Sequence, residues 1–155
     1  MGHCTQSKFT ALNIAVLTLS DTRNFESDTS GAFLESALLE AGHTLADRQI
    51  IKDDKYQIRS VLSQWIASNE VQVIITTGGT GFTDRDNTPE AVKPLFDREI
   101  EGFGELFRHI TYTELGTSTV QSRALGGFAN KTAIFCLPGS TGACKTGWNK
   151  LIKEQ

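Results

Sequence analysis

The chain has 155 residues, of which 39% are hydrophobic, and 15 Lys and Arg against 18 Asp and Glu give a formal net charge of −3. This length predicts one domain, since domains usually hold about 100–200 residues. The lack of a basic surplus disfavours nucleic-acid binding, and apolar runs far shorter than the roughly 18 residues of a membrane span predict no membrane association.

The first ten residues are polar, so we predict a flexible segment over residues 1–10 and a single domain over residues 11–155. No apolar stretch typical of a secretory signal is present. The three cysteines, Cys4, Cys136 and Cys144, show no CxxC spacing and predict neither a disulfide framework nor a zinc site. We therefore expect a reducing compartment, the cytoplasm.

Short apolar runs predict four buried strands, over residues 12–19, 43–51, 71–76 and 132–137. Helical patterns lie between them. The first predicted helix is capped by residues 28–31 and ends at Gly42, and the second covers 58–66. A third begins with Thr88 as its N-cap. Interrupted helical structure over 98–128 and a last helix over 143–153 follow.

The alternation of strands and helices predicts a three-layer αβα sandwich with a mainly parallel sheet. Ligands of such sheets bind at the carboxyl ends of the strands. Because glycine-rich loops follow the third and fourth strands, we predict that both loops line one pocket.

The first glycine loop, Thr76 to Gly81 (TTGGTG), follows the third strand. Glycines allow positive φ and close approach of the backbone to a ligand, and successive N–H groups of such a loop form an anion-binding concavity. Thr77 and Thr80 add hydroxyl donors. A tight structural turn is the alternative, but three glycines in four residues favour phosphate binding.

The second glycine loop, Pro138 to Gly142, precedes the last helix, where Gly139 and Ser140 would meet an anion at the helix N-terminus. By itself this loop is as compatible with a structural role. Residues 139–146 (GSTGACKT) resemble a P-loop, but Cys144 stands where the second glycine is required, which argues against one.

Two aspartates are candidates for magnesium-linked catalysis. Asp86 follows the first glycine loop, and Asp53 follows the second strand at the same predicted edge. Mg²⁺ typically takes one or two carboxylates together with substrate phosphates. For the neighbouring Asp54 a solvated turn is the better interpretation. Arg123 could place a cation near phosphates, although an arginine on a helix surface is the commoner outcome.

Five motifs together resemble the MoaB/Mog family of molybdopterin-binding proteins: SDTR at 20–23, TTGGTGFTDRDNTPEAV at 76–92, REIEGFGELFR at 98–108, SRA at 122–124 and LPGS at 137–140. The resemblance implies that family's αβα fold and a trimer or a dimer of trimers. It implies binding of molybdopterin, a pterin with a dithiolene and a terminal phosphate. It also implies MgATP-dependent adenylylation of that phosphate, with Asp53 and Asp86 at the positions of the catalytic aspartates.

The resemblance also assigns the residues that would bind substrate and phosphate. These are Ser20, Asp21, Thr76, Thr77, Gly78, Gly79, Thr80, Gly81, Thr88, Ser122, Arg123, Pro138, Gly139 and Ser140. Where adenylyltransferase members commonly have proline before Gly-Phe, this chain has Glu101. The alternative is therefore a non-catalytic molybdopterin carrier of the same pathway, which could hand its ligand to a molybdate-inserting protein.

The stretch from Phe96 to Phe128 is apolar and glycine-punctuated. It holds Phe103, Leu106, Phe107 and Ile110. Because contiguous apolar patches on monomers are limited to a few hundred Å², we predict that this stretch forms a subunit face of a homo-oligomer.

Overall fold

The structure is a computed structural model that describes residues 8–155. Of the segment predicted to be flexible, residues 1–7, including Cys4, lie outside the described part. The strands are β1 Asn13–Leu19, β2 Thr44–Ile51, β3 Val73–Thr77, β4 Arg98–Glu99, β5 Leu125–Ala129 and β6 Thr132–Leu137. The helices are α1 Thr29–Glu40, α2 Lys55–Ala67, α3 Thr88–Val92, α4 Glu101–Leu115 and α5 Thr141–Lys150.

The six strands form one sheet in the order β2-β1-β3-β6-β5-β4. Strands β2, β1, β3 and β6 run parallel, whereas β5 is antiparallel to β6 and to β4. The predicted α/β fold with a mainly parallel sheet is confirmed. The carboxyl ends of β1, β3 and β6 therefore meet at one edge.

Strands β4 and β5 replace part of the helical structure predicted over 98–128. Gly126 and Gly127 look like helix breakers in the sequence, but both lie in β5. A Cβ on Gly127 would lie 2.5 Å from the ring of Phe96, and one on Gly126 would lie 3.3 Å from Phe103. These glycines are required because aromatic side chains pack directly on the strand.

Each face of the sheet carries its own apolar layer. One core packs α1, α4 and α5 against side chains such as Val16 and Ile75, and the other packs α2 and α3 against side chains such as Leu17 and Ile74. Successive residues of a strand point to opposite faces. The central strands are buried on both faces, which explains their unbroken apolar runs.

The residues of the predicted subunit face are partly buried and partly exposed. Phe103 and Phe107 are buried within the chain, where they pack with Phe135 and Trp148. Leu106 stays exposed. The two phenylalanines are therefore not part of an external face, and the homo-oligomer stays a prediction.

Both described cysteines are buried, and burial raises the pKa of Cys136 to about 12 and that of Cys144 to about 11. Thiolates are the reactive form, so buried neutral thiols are inert. In a Cys4→Ser variant at pH 8, we expect a thiol-specific dye to label neither remaining cysteine of the native protein within minutes. Denaturation should release both. Rapid labelling of one thiol before denaturation would contradict this burial.

Candidate functional site

A cavity of about 550 Å³ opens at the carboxyl edge of the sheet. Eleven of the predicted site residues line it: Ser20, Thr77, Gly78, Gly79, Thr80, Gly81, Asp86, Ser122, Pro138, Gly139 and Ser140. Both glycine loops thus face one pocket, as predicted. Residues of α4, α5 and the 116–121 segment, a 3₁₀ helix over Gly116–Gln121, also line the cavity.

The first glycine loop requires glycine at two successive positions. Gly78 has φ +110° and Gly79 has φ +70°, a region that other residues rarely adopt. A side chain on Gly78 would collide with the carbonyl oxygen of Leu19. The N–H of Gly78 donates to Leu137 O at 2.9 Å, which joins this loop to the end of β6.

Thr88 makes two hydrogen bonds to this loop. Its hydroxyl donates to Gly78 O at 2.8 Å, and its N–H donates to Gly79 O at 3.0 Å. Thr88 is buried and does not line the cavity, so its role here is to position the loop. This contact also explains why the N-cap of α3 is Asn87, and not Thr88 as predicted.

Arg123 also braces the loop. Its Nε donates to Gly81 O and its Nη2 to Asp86 O, each at 2.9 Å, and its Nη1 pairs with the carboxylate of Glu90. The guanidinium also lies over the ring of Phe82. Arg123 is therefore neither a free cation in the cavity nor a surface arginine.

The second loop is anchored at Gly139 O. This oxygen accepts hydrogen bonds from Ser30 Oγ at 2.8 Å and from Arg23 Nη1 at 3.1 Å. Ser140 caps α5 by accepting from the N–H of Ala143 at 3.1 Å. Arg23 lines the cavity but was not predicted as a site residue, although it lies within the SDTR motif.

Asp86 is the acidic group of the cavity wall. Its Oδ2 accepts from the N–H of Thr83 at 2.9 Å and from the Thr83 hydroxyl at 2.7 Å. Burial alone would raise its pKa, but hydrogen bonds from Thr83 and Gly81 and the charge of Arg123 outweigh that effect. The pKa of Asp86 is thus lowered, and its carboxylate is charged at neutral pH.

Asp53 lies beside the first glycine loop and does not line the cavity. Its Oδ1 is 3.1 Å from the position that a Cβ on Gly79 would occupy. Asp21, also outside the cavity, accepts from the N–H of Asp53 at 3.2 Å and forms a bidentate pair with Arg85. Thr76 is fully buried in β3 and also stays outside the cavity.

The pKa of Asp53 is raised to about 6 by burial and by the charges of Asp21 and Asp86, which Arg85 offsets only in part. The two carboxylates repel each other, so a bound cation would be stabilised between them. Residues 8–155 contain no cluster of three His, Cys, Asp or Glu that could hold a metal ion. Two carboxylates completed by phosphate oxygens and water fit Mg²⁺, which seldom has an all-protein site.

The part of the cavity lined by α4 and the 116–121 segment was missed by sequence reasoning. It includes Phe107, Thr111 and Glu114 of α4, at i, i+4 and i+7, and Thr119 of the 116–121 segment. This spacing places the α4 residues on one helix face. The stripe was a recognisable signal, but a helical stripe alone does not distinguish a core face from a cavity wall.

The fold and the cavity together define an α/β protein with paired glycine loops at the carboxyl edge of its sheet. Residues 15–155 match the family described as a probable molybdopterin-binding domain, and the chain belongs to this family. The family suggested by the sequence motifs is thereby confirmed. No helix in the described part of the chain is long and apolar enough to span a membrane.

Individual proteins of this family are similar to the chain over most of its length. Molybdenum cofactor biosynthesis protein B of Escherichia coli K12 is 54% identical over 149 residues, which cover 96% of this chain and 88% of the relative. The protein of the same name from Staphylococcus epidermidis is 47% identical, over 93% of this chain and 84% of its own length.

Solved structures show the same fold. A crystal structure of molybdenum cofactor biosynthesis protein B superposes with a TM-score of 0.90 at 45% identity, over 94% of this chain and 91% of that one. The tungsten cofactor synthesizing protein MoaB from Pyrococcus furiosus superposes with a TM-score of 0.83 at 36% identity, over 93% of this chain and 92% of that one.

Proposed function

We propose that this chain acts in molybdenum cofactor biosynthesis, binds molybdopterin in the cavity and catalyses its MgATP-dependent adenylylation. A phosphate oxygen of molybdopterin would attack the α-phosphorus of ATP. The new bond would be the P–O bond of the adenylylated product, and the bond between the α- and β-phosphates would break to release pyrophosphate.

One observation carries this proposal. Two carboxylates lie against the first glycine loop, with Asp53 Oδ1 3.1 Å from the Cβ position of Gly79 and Asp86 Oδ2 2.8 Å from that of Gly81. A loop that only bound an anion would be weakened by two flanking negative charges. Their presence is explained if a cation and phosphates bind together at this loop.

The residues have separate roles in this proposal. The N–H groups of Gly79 and Thr80 would bind phosphate oxygens, because those of Gly78 and Gly81 are held by Leu137 O and by Asp86. Thr88 and Arg123 donate hydrogen bonds to the carbonyls of Gly78 and Gly81. Asp53 and Asp86 would hold Mg²⁺. When bound, this ion neutralises the charge that develops on the transferring phosphoryl group. No nucleophile from the protein is needed, which agrees with the inert, buried cysteines.

The test is release of pyrophosphate from MgATP, which should require molybdopterin. Gly79→Ala places a methyl group against the Thr88 hydroxyl at a positive φ and should weaken molybdopterin binding at least about tenfold. Gly102→Ala is the matched control, because a Cβ there meets no atom of the described residues within 4 Å. Equal binding by both variants would contradict the assignment of the loop.

A carrier without catalysis is the second candidate, and the position of Asp53 favours it. Asp53 lies outside the cavity, and its neighbour Asp21 is already paired with Arg85. A carrier would bind molybdopterin without releasing pyrophosphate and would pass it to a molybdate-inserting protein. For either function we propose a homo-oligomer, a trimer or a dimer of trimers, in the cytoplasm.

A further inference from the structure

An arginine lies close to each of the two carboxylates that would hold Mg²⁺. Nη2 of Arg123 donates to the backbone carbonyl of Asp86 at 2.9 Å. Oδ1 of Asp21 accepts from the N–H of Asp53 at 3.2 Å and from Nη2 of Arg85 at 2.9 Å, which places this guanidinium beside Asp53. Both arginines are thus near enough to approach a carboxylate of the proposed Mg²⁺ site.

An arginine that paired with one of these carboxylates would oppose metal binding. Guanidinium and carboxylate form strong, often bidentate, charge-assisted hydrogen bonds, and a metal ion would have to displace them. The charge of Arg85 already acts on Asp53: burial and the charge of Asp21 raise the pKa of Asp53, and the charge of Arg85 opposes them.

The structure pairs each arginine with a different acid. Arg85 donates from Nε and Nη2 to the two carboxylate oxygens of Asp21, at 2.8 and 2.9 Å. Arg123 pairs through Nη1 with the carboxylate of Glu90. Within residues 8–155, no ion pair joins either arginine to a carboxylate of the proposed Mg²⁺ site.

Backbone contacts outside the cavity hold these two acids in place. Arg59 donates from Nη2 to Glu90 O at 2.9 Å and from Nε to Ala91 O at 3.1 Å, which fixes the helical turn that carries Glu90. Neither Asp21 nor Glu90 lines the cavity, so contact with a ligand there does not explain them. Partly exposed ion pairs also contribute little to stability.

We propose that Asp21 and Glu90 are positioning residues for the Mg²⁺ site, because each holds a neighbouring arginine away from the carboxylates that bind the ion. When either acid loses its charge, the released arginine turns to the nearest site carboxylate and competes with Mg²⁺ for it. The inference rests on the proposed function, since it takes Mg²⁺ and phosphates as ligands of this loop.

The probe is the Mn²⁺ complex of α,β-methylene-ATP, an analogue that cannot release pyrophosphate; Mn²⁺ replaces Mg²⁺ at oxygen ligands and is followed by its EPR signal. Asp21→Asn and Glu90→Gln should each weaken binding of this complex about two- to fivefold, the range in which an exposed ion pair competes. Together they should weaken it about tenfold, because the two pairs share no residue. Binding of the analogue without metal should be unchanged or tighter in both variants.

Two sets of controls separate the arginines from net charge. Asp84→Asn removes a negative charge from the same exposed loop, and Asp84 forms no ion pair within residues 8–155. It should change the affinity less than twofold. Asp21→Glu and Glu90→Asp keep the charge and should recover most of the affinity. An equal loss in Asp84→Asn would make net charge the cause and overturn the inference.

The Mg²⁺ dependence of pyrophosphate release distinguishes positioning from a structural role. In Asp21→Asn and Glu90→Gln the half-activating Mg²⁺ concentration should rise by the same factor as the Kd of the Mn²⁺ complex, while kcat at saturating Mg²⁺ stays that of the wild type. A lower kcat with an unchanged Mg²⁺ dependence would contradict the inference.

The outcomes also separate this inference from the proposed function. If the wild type releases pyrophosphate and both variants bind the Mn²⁺ complex as it does, the inference fails and the proposed function stands. If the wild type binds the complex without turnover, catalysis fails, and the affinities of the variants alone decide the inference. If the wild type does not bind the complex, both are overturned.

Discussion

Asp86→Asn is expected to reduce MgATP-dependent pyrophosphate release by at least about 10²-fold, the low end of what the loss of one electrostatic element costs in a preorganised site. The substitution keeps size and shape but removes the charge that would hold Mg²⁺. The amide oxygen of asparagine can still accept from the N–H and hydroxyl of Thr83, which now hold the carboxylate. The fold should therefore survive, as a thermal melt would show.

The matched control is Asp84→Asn in the same loop. Asp84 is exposed, and within residues 8–155 only its backbone carbonyl takes part in a hydrogen bond, from the side chain of Asn87. This variant should turn over normally. Molybdopterin binding without metal should be unchanged or stronger in Asp86→Asn, since a repulsive charge is removed. Normal turnover by Asp86→Asn would make Asp86 a structural turn residue, and absence of turnover in the wild type would favour the carrier.

Asp28→Asn is expected to destabilise the protein by about 3–5 kcal/mol, because it removes the charge of a buried ion pair and sets an amide N–H₂ against the donors Thr18 and Arg48. Asp28 is 1% exposed. Its Oδ1 accepts from the N–H of Gly31 at 2.9 Å, and its Oδ2 accepts from Thr18 Oγ1 at 2.6 Å and Arg48 Nη2 at 3.0 Å. An asparagine can cap α1, but its amide nitrogen cannot accept from Arg48. For this chain length we expect a fall in Tm of about 6–20 °C.

Glu35→Gln serves as the control for Asp28→Asn, because it removes the other carboxylate bound by Arg48, at 2.8 Å. The Glu35 side chain is 32% exposed, so its loss should cost about 1 kcal/mol or less. Equal losses of stability in the two variants would show that the charge on Asp28 has no special role.

The pH dependence of Asp28→Asn provides a second check. Burial acts to raise the pKa of Asp28, but hydrogen bonds from Thr18, Gly31 and Arg48 outweigh it, so the folded pKa is below the ordinary 3.8. A lowered folded pKa stabilises the protein above the unfolded pKa, and this stabilisation is lost as the pH falls through the folded value. The difference between wild type and variant should therefore be constant near neutral pH and shrink below about pH 3.8.

The central fold was predictable because β1, β3 and β6 are apolar on both faces, a pattern that buried parallel strands produce. Strand β5 was not predictable. Glycine is required at Gly126 and Gly127 by the rings of Phe103 and Phe96, which are distant in sequence. This requirement comes from tertiary packing, so no local sequence pattern indicates it.

For the candidate site, glycine spacing correctly predicted that two loops share one pocket. The position of a carboxylate relative to the cavity depends on the neighbouring strands, so the sequence could not show that Asp86 lines the cavity and Asp53 does not. The engagement of Arg123 with Gly81 O and Asp86 O was also unpredictable, because it joins segments 37 or more residues apart.

The anchoring of Gly139 O by Ser30 and Arg23 spans 109 and 116 residues of sequence. During synthesis, α1 and the first glycine loop leave the ribosome long before the loop that completes the cavity. A nascent chain consequently has no competent site until Gly139 and α5 have emerged, and ligand cannot guide the early steps of folding. Once formed, the complex ties the first third of the chain to its last helix, so ligand should slow amide hydrogen exchange in both together.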